Sequence, residues 1–560
     1  MARFVHQDAF RLRAAAIQTQ DIAHGKSIRE PGAFGDGEGD AGAENAAAVY
    51  VARNAFLTHR NTATILVTLR GPGDGQRSPK RMHIHFLDLA IVIVYLLGVT
   101  ALGVYFRGKQ RDVRDYFLGG RSAPWWALAF SIVATETSTL TIIGTPALAY
   151  AGNMTFLQWV FGYLVGRLLI SLIFLPGYFR GEFLTAYAVI EKRFGQRMRS
   201  VAAVTFLTTR TLAEGVRVAA IALVVSVALG TSERLAVFIV IALTVLYTFE
   251  GGMKAVIWTD VAQFLLYLLG SVVTFGVLLH RIPGGWNEVA QVAAANGNKL
   301  QILDFSWNLA TTYTFWSGVI GGAFFTLASH GTDQTIVQRL LAARNQRDSR
   351  RALLASGFIV LFQFTLFLLV GVLLFVFAQH SPLLGSGDRT DSILPHFLIR
   401  EMPTGLVGLL LASILAIAMS NASGSLNSLA ASSVMDFAAL SGKSADPAAY
   451  LKLSRRMTLV WGGVLILFGL LPWGHLLEAG LKIASLPFGS MLGLFLLGTF
   501  DSRANAAGSL AGMIGGLASV LLVLRFTSVA FTWYVLIGSC VTFALGALVS
   551  RMFVQHAATS

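Results

Sequence analysis

Within the apolar run 125–150 the chain reads Ser131-Ile132-Val133-Ala134-Thr135-Glu136-Thr137-Ser138-Thr139, then Gly144-Thr145-Pro146. Hydroxyls, a carboxylate and helix breakers thus share one segment long enough to cross a bilayer. A charged group at membrane depth costs about 2.5 to 3.5 kcal/mol even on the lenient insertion scale, so it is seldom kept without a use. A second run, 404–436, carries Ala418-Met419-Ser420-Asn421-Ala422-Ser423-Gly424-Ser425. Both runs are expected to be broken spans. Unwinding frees backbone carbonyls, which is tolerated only where they line a cavity or meet a cation. A hard cation such as sodium wants several oxygen ligands, and free carbonyls with hydroxyls supply them. Small and hydroxyl residues also simply let helices pack closely, and the pattern fits that reading equally well.

Other charges lie in apolar runs. Asp260, in Trp258-Thr259-Asp260-Val261-Ala262-Gln263, suits a second cation site, a proton carrier or a buried ion-pair partner, and an interfacial Asp facing water is the bland reading. Glu136 suits substrate contact, pairing with an arginine, or proton carriage. Arg210 and Glu214 are four apart and share a helix face, so they read first as a neutralising pair. With Arg217 they also suit a polar cavity wall that takes a carboxylate. Asp333, Gln334, Gln338 and Arg339 read as cytoplasmic loop chemistry rather than as binding groups.

The elements that must hold these residues are apolar helices. The 560 residues are 55% hydrophobic and 13% charged, with mean hydropathy +0.64, far from the roughly 25% charge of a soluble domain. Spans are expected near 85–106, 125–150, 156–178, 201–229, 235–249, 254–279, 313–330, 352–378, 404–436, 457–472, 476–499, 506–524 and 532–554. Barrel strands would be half as long and alternating. This is an all-α polytopic membrane protein of about thirteen transmembrane helices, with the lipid bilayer as its solvent.

The formal charge of +14 does not signal nucleic acid, because the basic residues sit in short loops between spans. They alternate: Arg107, Lys109, Arg111 and Arg114; Lys192, Arg193, Arg197 and Arg199; Arg339 to Arg351; Lys443 to Arg456. Loops 151–155 and 473–475 carry almost none. The positive-inside rule then makes the basic loops cytoplasmic, with the N-terminus outside and the C-terminus inside. The longest outside loop, 280–312, is expected on the surface. One cysteine, Cys540, excludes a disulfide or a cysteine metal site within one chain. No GxxxxGK[ST] loop, HExxH or GxSxG stands out, which argues against ATP as the energy source and against an enzyme. Residues 1–81 are polar, rich in Gly and Ala, and read as a disordered extension. Met82 opens the membrane domain, 82–560, and is expected to be the biological start.

Five ordered motifs resemble the sodium:solute symporter family: DYFLGGRS at 115–122, the polar break at 134–139, GGMKAVIWTDVAQ at 251–263, DQTIVQR at 333–339 and the Ser/Asn-rich run 416–433. The likeness covers essentially 82–554. It implies a leucine-transporter-type core of two inverted five-helix repeats, spans two to six and seven to eleven, and alternating access in the cell's inner (plasma) membrane. It implies sodium as the coupling ion, and no cofactor. Carried over by position, the ligands are the carbonyls of Ala134, Thr137 and Ile417, the Ser420 hydroxyl and the side chain at 421. The family usually has a second Ser or Thr at that last position, and here it is Asn421. Asp260 matches the aspartate associated with a second sodium site in some members. Gln158 falls where sugar transporters place a carboxylate, which argues against a sugar. Their tyrosine gate falls at Ser329, leaving Phe324 or Phe325 to cover a substrate.

The expected function is therefore sodium-driven import of a small polar solute. The substrate-facing set is Glu136, Ser138, Gln158, Gln263 and Phe325, and the arginines favour a carboxylate-bearing solute. The alternatives are proton coupling through Glu136, Glu214 or Asp260, and a transporter-like membrane sensor.

Overall fold

The computed structural model describes residues 85–106, 112–181, 183–229, 231–385, 390–437, 447–471 and 476–557. The expected extension 1–81 and start at Met82 lie outside them. Apart from an isolated bridge between Ala123 and Ala343, the described residues are helices, turns and connections. In chain order these are α1 (Phe86–Tyr105), α2 (Val113–Leu118), α3 (Trp125–Glu136), α4 (Thr139–Ala151), α5 (Leu157–Ile173), α6 (Leu175–Phe179), α7 (Tyr187–Phe194), α8 (Gln196–Leu229), α9 (Glu233–Arg281) and α10 (Gly285–Ala295). After a π turn at Ser317–Gly321 follow α11 (Gly322–Gly331), α12 (Gln334–Leu341), α13 (Gln346–His380), α14 (Ile393–Glu401), α15 (Leu406–Ser432), α16 (Pro447–Gly469), α17 (Leu476–Phe500), α18 (Ala506–Phe526) and α19 (Tyr534–Ala557).

Six of the described helices are long and apolar enough to cross a bilayer, seven if the bent pair α3–α4 is one span. That measure does not reach the expected thirteen. The fifth and sixth expected spans are the two arms of α9, which meet at a sharp kink at Gly252, where φ is +55°. Only glycine fits, because a Cβ there would sit 2.6 Å from the Tyr116 carbonyl oxygen. Large apolar side chains point outward along the long helices, among them Leu97 (65% exposed), Phe358 (66%) and Leu467 (66%). In water they would form a patch well beyond what soluble monomers tolerate, and lipid removes that cost.

Inside, α9 packs along α15, α1 and α3, and α13 along α3 and α4. The Asp88 carboxylate of α1 caps the start of α15, accepting from the Gly405 and Gly408 N–H groups at 2.7 Å each. At one end of the bundle the motifs seen in sequence meet: the Gln338 amide donates to the Phe117 carbonyl (2.8 Å) and Ala123 bridges Ala343. In the 280–312 connection, Trp286, Phe305 and Trp307 are exposed, as expected of a surface segment. There the Gly284 N–H and the His380 ring hold the Glu288 carboxyl below the usual carboxylate range. Partial burial lowers the Lys299 ammonium, which caps the end of α4 at the Tyr150 and Gly152 carbonyls (2.8 and 3.0 Å).

Candidate ion and solute site

The first polar run is a true break. Between α3 and α4 the chain bends by 70°, with Thr137 and Ser138 both extended. Ser138 accounts for the restart: its hydroxyl accepts from the Thr141 N–H (3.2 Å), while its own N–H turns to the Thr141 hydroxyl (3.2 Å). This reciprocal cap is stable by itself, and it diverts the Ser138 N–H from the Ala134 carbonyl four residues back. The Thr137 hydroxyl donates to the Val133 carbonyl (2.8 Å) and accepts from the Gln363 amide of α13 (2.9 Å) and the Tyr267 hydroxyl of α9 (3.3 Å).

The second run is not broken, contrary to expectation. α15 runs as continuous helix through Ala418–Ser425 and loosens only at a π turn, Ser433–Phe437. Its hydroxyls bond back within the helix, Ser423 to the Ser420 carbonyl (2.9 Å) and Ser428 to that of Gly424 (2.9 Å). Such back-bonding meets the polar groups' needs without unwinding. The seventh expected span is likewise continuous helix and loosens only at the π turn Ser317–Gly321 before α11.

α15 nevertheless faces the break. The Ser420 hydroxyl donates to Asp260 Oδ1 (2.7 Å), and Asp260 Oδ2 accepts from Ser131 (2.5 Å) and pairs with Arg339 Nη2 (2.9 Å). Arg339 Nε also donates to Ser131 (2.8 Å), and the whole group is buried. Asp260 stands in a buried ion pair, and this moves Arg339 from loop chemistry to the centre of the bundle. Every residue of α12 is buried. Next to this group the Asn421 amide nitrogen donates to the Ile417 carbonyl (3.0 Å) and to that of Thr137. Ala134, Thr137, Asp260, Ile417, Ser420 and Asn421 are therefore brought together by contacts or by adjacency along the chain. Arg210 and Arg217 flank Glu214 at 3.8 and 3.3 Å, and Arg217 Nη1 lies 3.4 Å from Asn421 Oδ1.

On the opposite side of the break, Glu136 pairs with Arg167 of α5, and His330 Nε2 of α11 lies 3.3 Å from the same carboxylate oxygen. Arg167 is fully buried, bonded to Ser356 (3.1 Å), and stands over the Tyr163 ring, which stacks on Phe325. Phe325 also meets Trp159 and Phe488. Glu136 and Ser138 thus lie at the break, and Phe325 is linked to it through Tyr163 and Arg167. Gln158 is engaged elsewhere: its amide donates to the Thr155 and Tyr313 carbonyls (3.2 Å each) and accepts from the Asp304 N–H (2.9 Å), tying down the connection before α11. Gln263 donates to Tyr95 of α1 (3.1 Å).

Arg167, His330, Tyr267 and Gln363 do not stand out in the sequence motifs. Arg167 has a readable signal all the same, a lone arginine inside an apolar run. The others need the packing of three helices to be seen.

A family model, Sodium:solute symporter family, matches residues 116–516. The Sodium/sialic acid symporter NanT of Aliivibrio fischeri is 32% identical over 483 residues, 83% of this chain and 93% of the relative. The human Sodium/iodide cotransporter is 30% identical over 78% of this chain and 69% of its own length. Among solved structures, a substrate-bound, outward-open Na+-coupled sialic acid symporter superposes with a TM-score of 0.79 at 30% identity, covering 84% of this chain and 98% of that one. The nucleobase-cation-symport-1 transporter Mhp1, at TM-score 0.51 and 15% identity, shares the fold alone. The broken α3–α4 span, the polar face of α15 and these likenesses agree: this chain belongs to the sodium:solute symporter family, a membrane-spanning symporter that couples solute import to sodium by alternating access and is not an enzyme.

Proposed function

We propose that the chain imports a small carboxylate-bearing solute across the inner (plasma) membrane, with its N-terminus outside and its C-terminus in the cytoplasm. The observation that carries the solute class is Arg167, a fully buried guanidinium beside the helix break, facing Glu136 and His330 under the Tyr163–Phe325 stack. Arginine's planar fork suits a carboxylate, and aromatic rings with one or two polar anchors are what solute pockets use. The solute's carboxylate takes a share of Arg167 while Phe325 covers it from the α11 side. Two relatives carry sialic acid and monocarboxylate in their names, which supports an anionic solute. The basic loops support the orientation.

Sodium is handled at the other face of the break, by the carbonyls of Ala134, Thr137 and Ile417 with Ser420, and Asp260 sets the local charge. Sodium there ties the break to α15 in the outward-facing form, and its release inside loosens that contact. One charge moving inward at about 100 mV supplies about 2.3 kcal/mol, enough for roughly fortyfold accumulation at about 1.4 kcal/mol per decade. The three carboxylates that suited proton carriage are each engaged by arginine: Glu136 by Arg167, Glu214 by Arg217 and Asp260 by Arg339.

The test is uptake into proteoliposomes of a panel of labelled monocarboxylates, sialic acid and their neutral amides, with and without an inward sodium gradient. Sodium-driven uptake of acids, lost in Arg167→Gln, is the expected result. Preference for the amides, or uptake unaffected by Arg167→Gln, would overturn the carboxylate reading.

A further inference from the structure

Asn421 differs from the hydroxyl usual at its position in having two donor hydrogens, and the structure uses both. Its buried amide nitrogen donates to the Ile417 carbonyl (3.0 Å) on α15 and to the Thr137 carbonyl at the α3–α4 break. Its oxygen faces the other way and accepts from Arg217 Nη1 (3.4 Å). Turning the amide over would set oxygen against two carbonyls and an NH2 group against a guanidinium, so both ends enforce the same orientation. These two carbonyls are also ligands that a sodium ion between the break and α15 would need. An oxygen bonded to an amide hydrogen cannot at the same time hold a cation in the space that the hydrogen occupies. A serine hydroxyl, with one hydrogen, could bond only one of the two carbonyls and would leave a lone pair of the other open to a cation. Charge acts in the same direction, because Arg210 and Arg217 share the single carboxylate of Glu214 on this side of α15.

We infer that the Asn421 amide, oriented by Arg217, is a built-in competitor for sodium: it bridges the α3–α4 break to α15 in sodium-free protein, and sodium enters only by displacing it. This rests on the reading that sodium binds at these carbonyls. Asn421 therefore sets the sodium concentration at which the transporter works, and its bond to the break is the weaker tie that remains when the ion leaves.

The experiment measures thermal unfolding of the purified full chain against sodium concentration, at constant ionic strength with choline, for the unsubstituted protein, Asn421→Ser and Arg217→Gln. Asn421→Ser should unfold at lower temperature in choline and reach half-maximal sodium stabilisation at about tenfold lower sodium, the factor that one to two net hydrogen bonds supply. Arg217→Gln should shift the midpoint in the same direction by a smaller factor, and it serves alone if Asn421→Ser does not fold. A midpoint unchanged or raised in both variants would overturn the competitor and make Asn421 neutral or a ligand through its oxygen. No sodium response in any of the three proteins would overturn the sodium reading of these carbonyls, and the competitor with it.

Discussion

The two repeats open differently, the first on a span broken at Thr137 and the second on a helix that only loosens at a π turn, and the two places are held by different means. At Thr137 the chain is held by side chains: the Asn421 amide, Gln363, Tyr267, and beside them the Asp260–Arg339 pair. At the π turn before α11 it is held by close backbone contact. A Cβ on Gly162 of α5 would collide with the Gly318 carbonyl oxygen, and one on Gly322 would lie 2.5 Å from that of Trp159. Hydrogen bonds to a break can be exchanged for bonds to an ion, because both satisfy the same oxygens. Backbone packed on backbone has nothing to exchange. On the proposed reading the α3–α4 break is therefore the place suited to respond to sodium, while the π turn, packed backbone on backbone, holds α11 with Phe325 and His330 fixed against α5.

The sharpest way to break this contrast is Asp260→Asn. It leaves the Arg339 guanidinium buried without its counter-ion, a loss of about 3 to 5 kcal/mol, and it should weaken sodium stabilisation as well. The double variant Asp260→Asn/Arg339→Gln should recover stability and not the sodium response, measured by thermal unfolding in sodium and in choline. Next comes Gly162→Ala on the packing side, expected to cost about 1 to 3 kcal/mol through overpacking, equally in both salts. A cost that sodium removed would show the π turn to be ion-linked too. Ser420→Ala removes one hydrogen bond to Asp260, worth about 0.5 to 1.5 kcal/mol, and should raise the sodium midpoint while membrane insertion is unchanged. The smallest effect on sodium is expected for Gln158→Ala. It should loosen the 304–313 connection and alter uptake kinetics, with the sodium midpoint unmoved; a shifted midpoint would bring Gln158 into the ion site.

Much of the site is legible in the order of the sequence motifs. Glu136 and its hydroxyl neighbours mark the first break, because a carboxylate in an apolar run is too costly to keep without a partner or a use. Asp260 and Ser420 are placed together by likeness to the family. The run at 418–425 misleads, since Ser and Asn can unwind a membrane helix or bond back along it, and only the partners chosen in three dimensions decide. Arg339 looks like loop chemistry because α12 is short and follows the seventh span. Its burial against Asp260 depends on a chain turn that brings residues 79 positions apart into contact. Asn421 is visible as a departure, but not which end of its amide faces the break; Arg217, 204 positions earlier in the chain, supplies that.

The most direct test of the central claim is equilibrium binding of radiolabelled sodium to the purified protein, with unlabelled sodium and potassium as competitors, repeated on Ser420→Ala. Saturable binding that unlabelled sodium displaces, potassium does not, and Ser420→Ala weakens is the predicted result. Absence of saturable binding, or binding to Ser420→Ala indistinguishable from that of the unsubstituted protein, would contradict a sodium site between the α3–α4 break and α15.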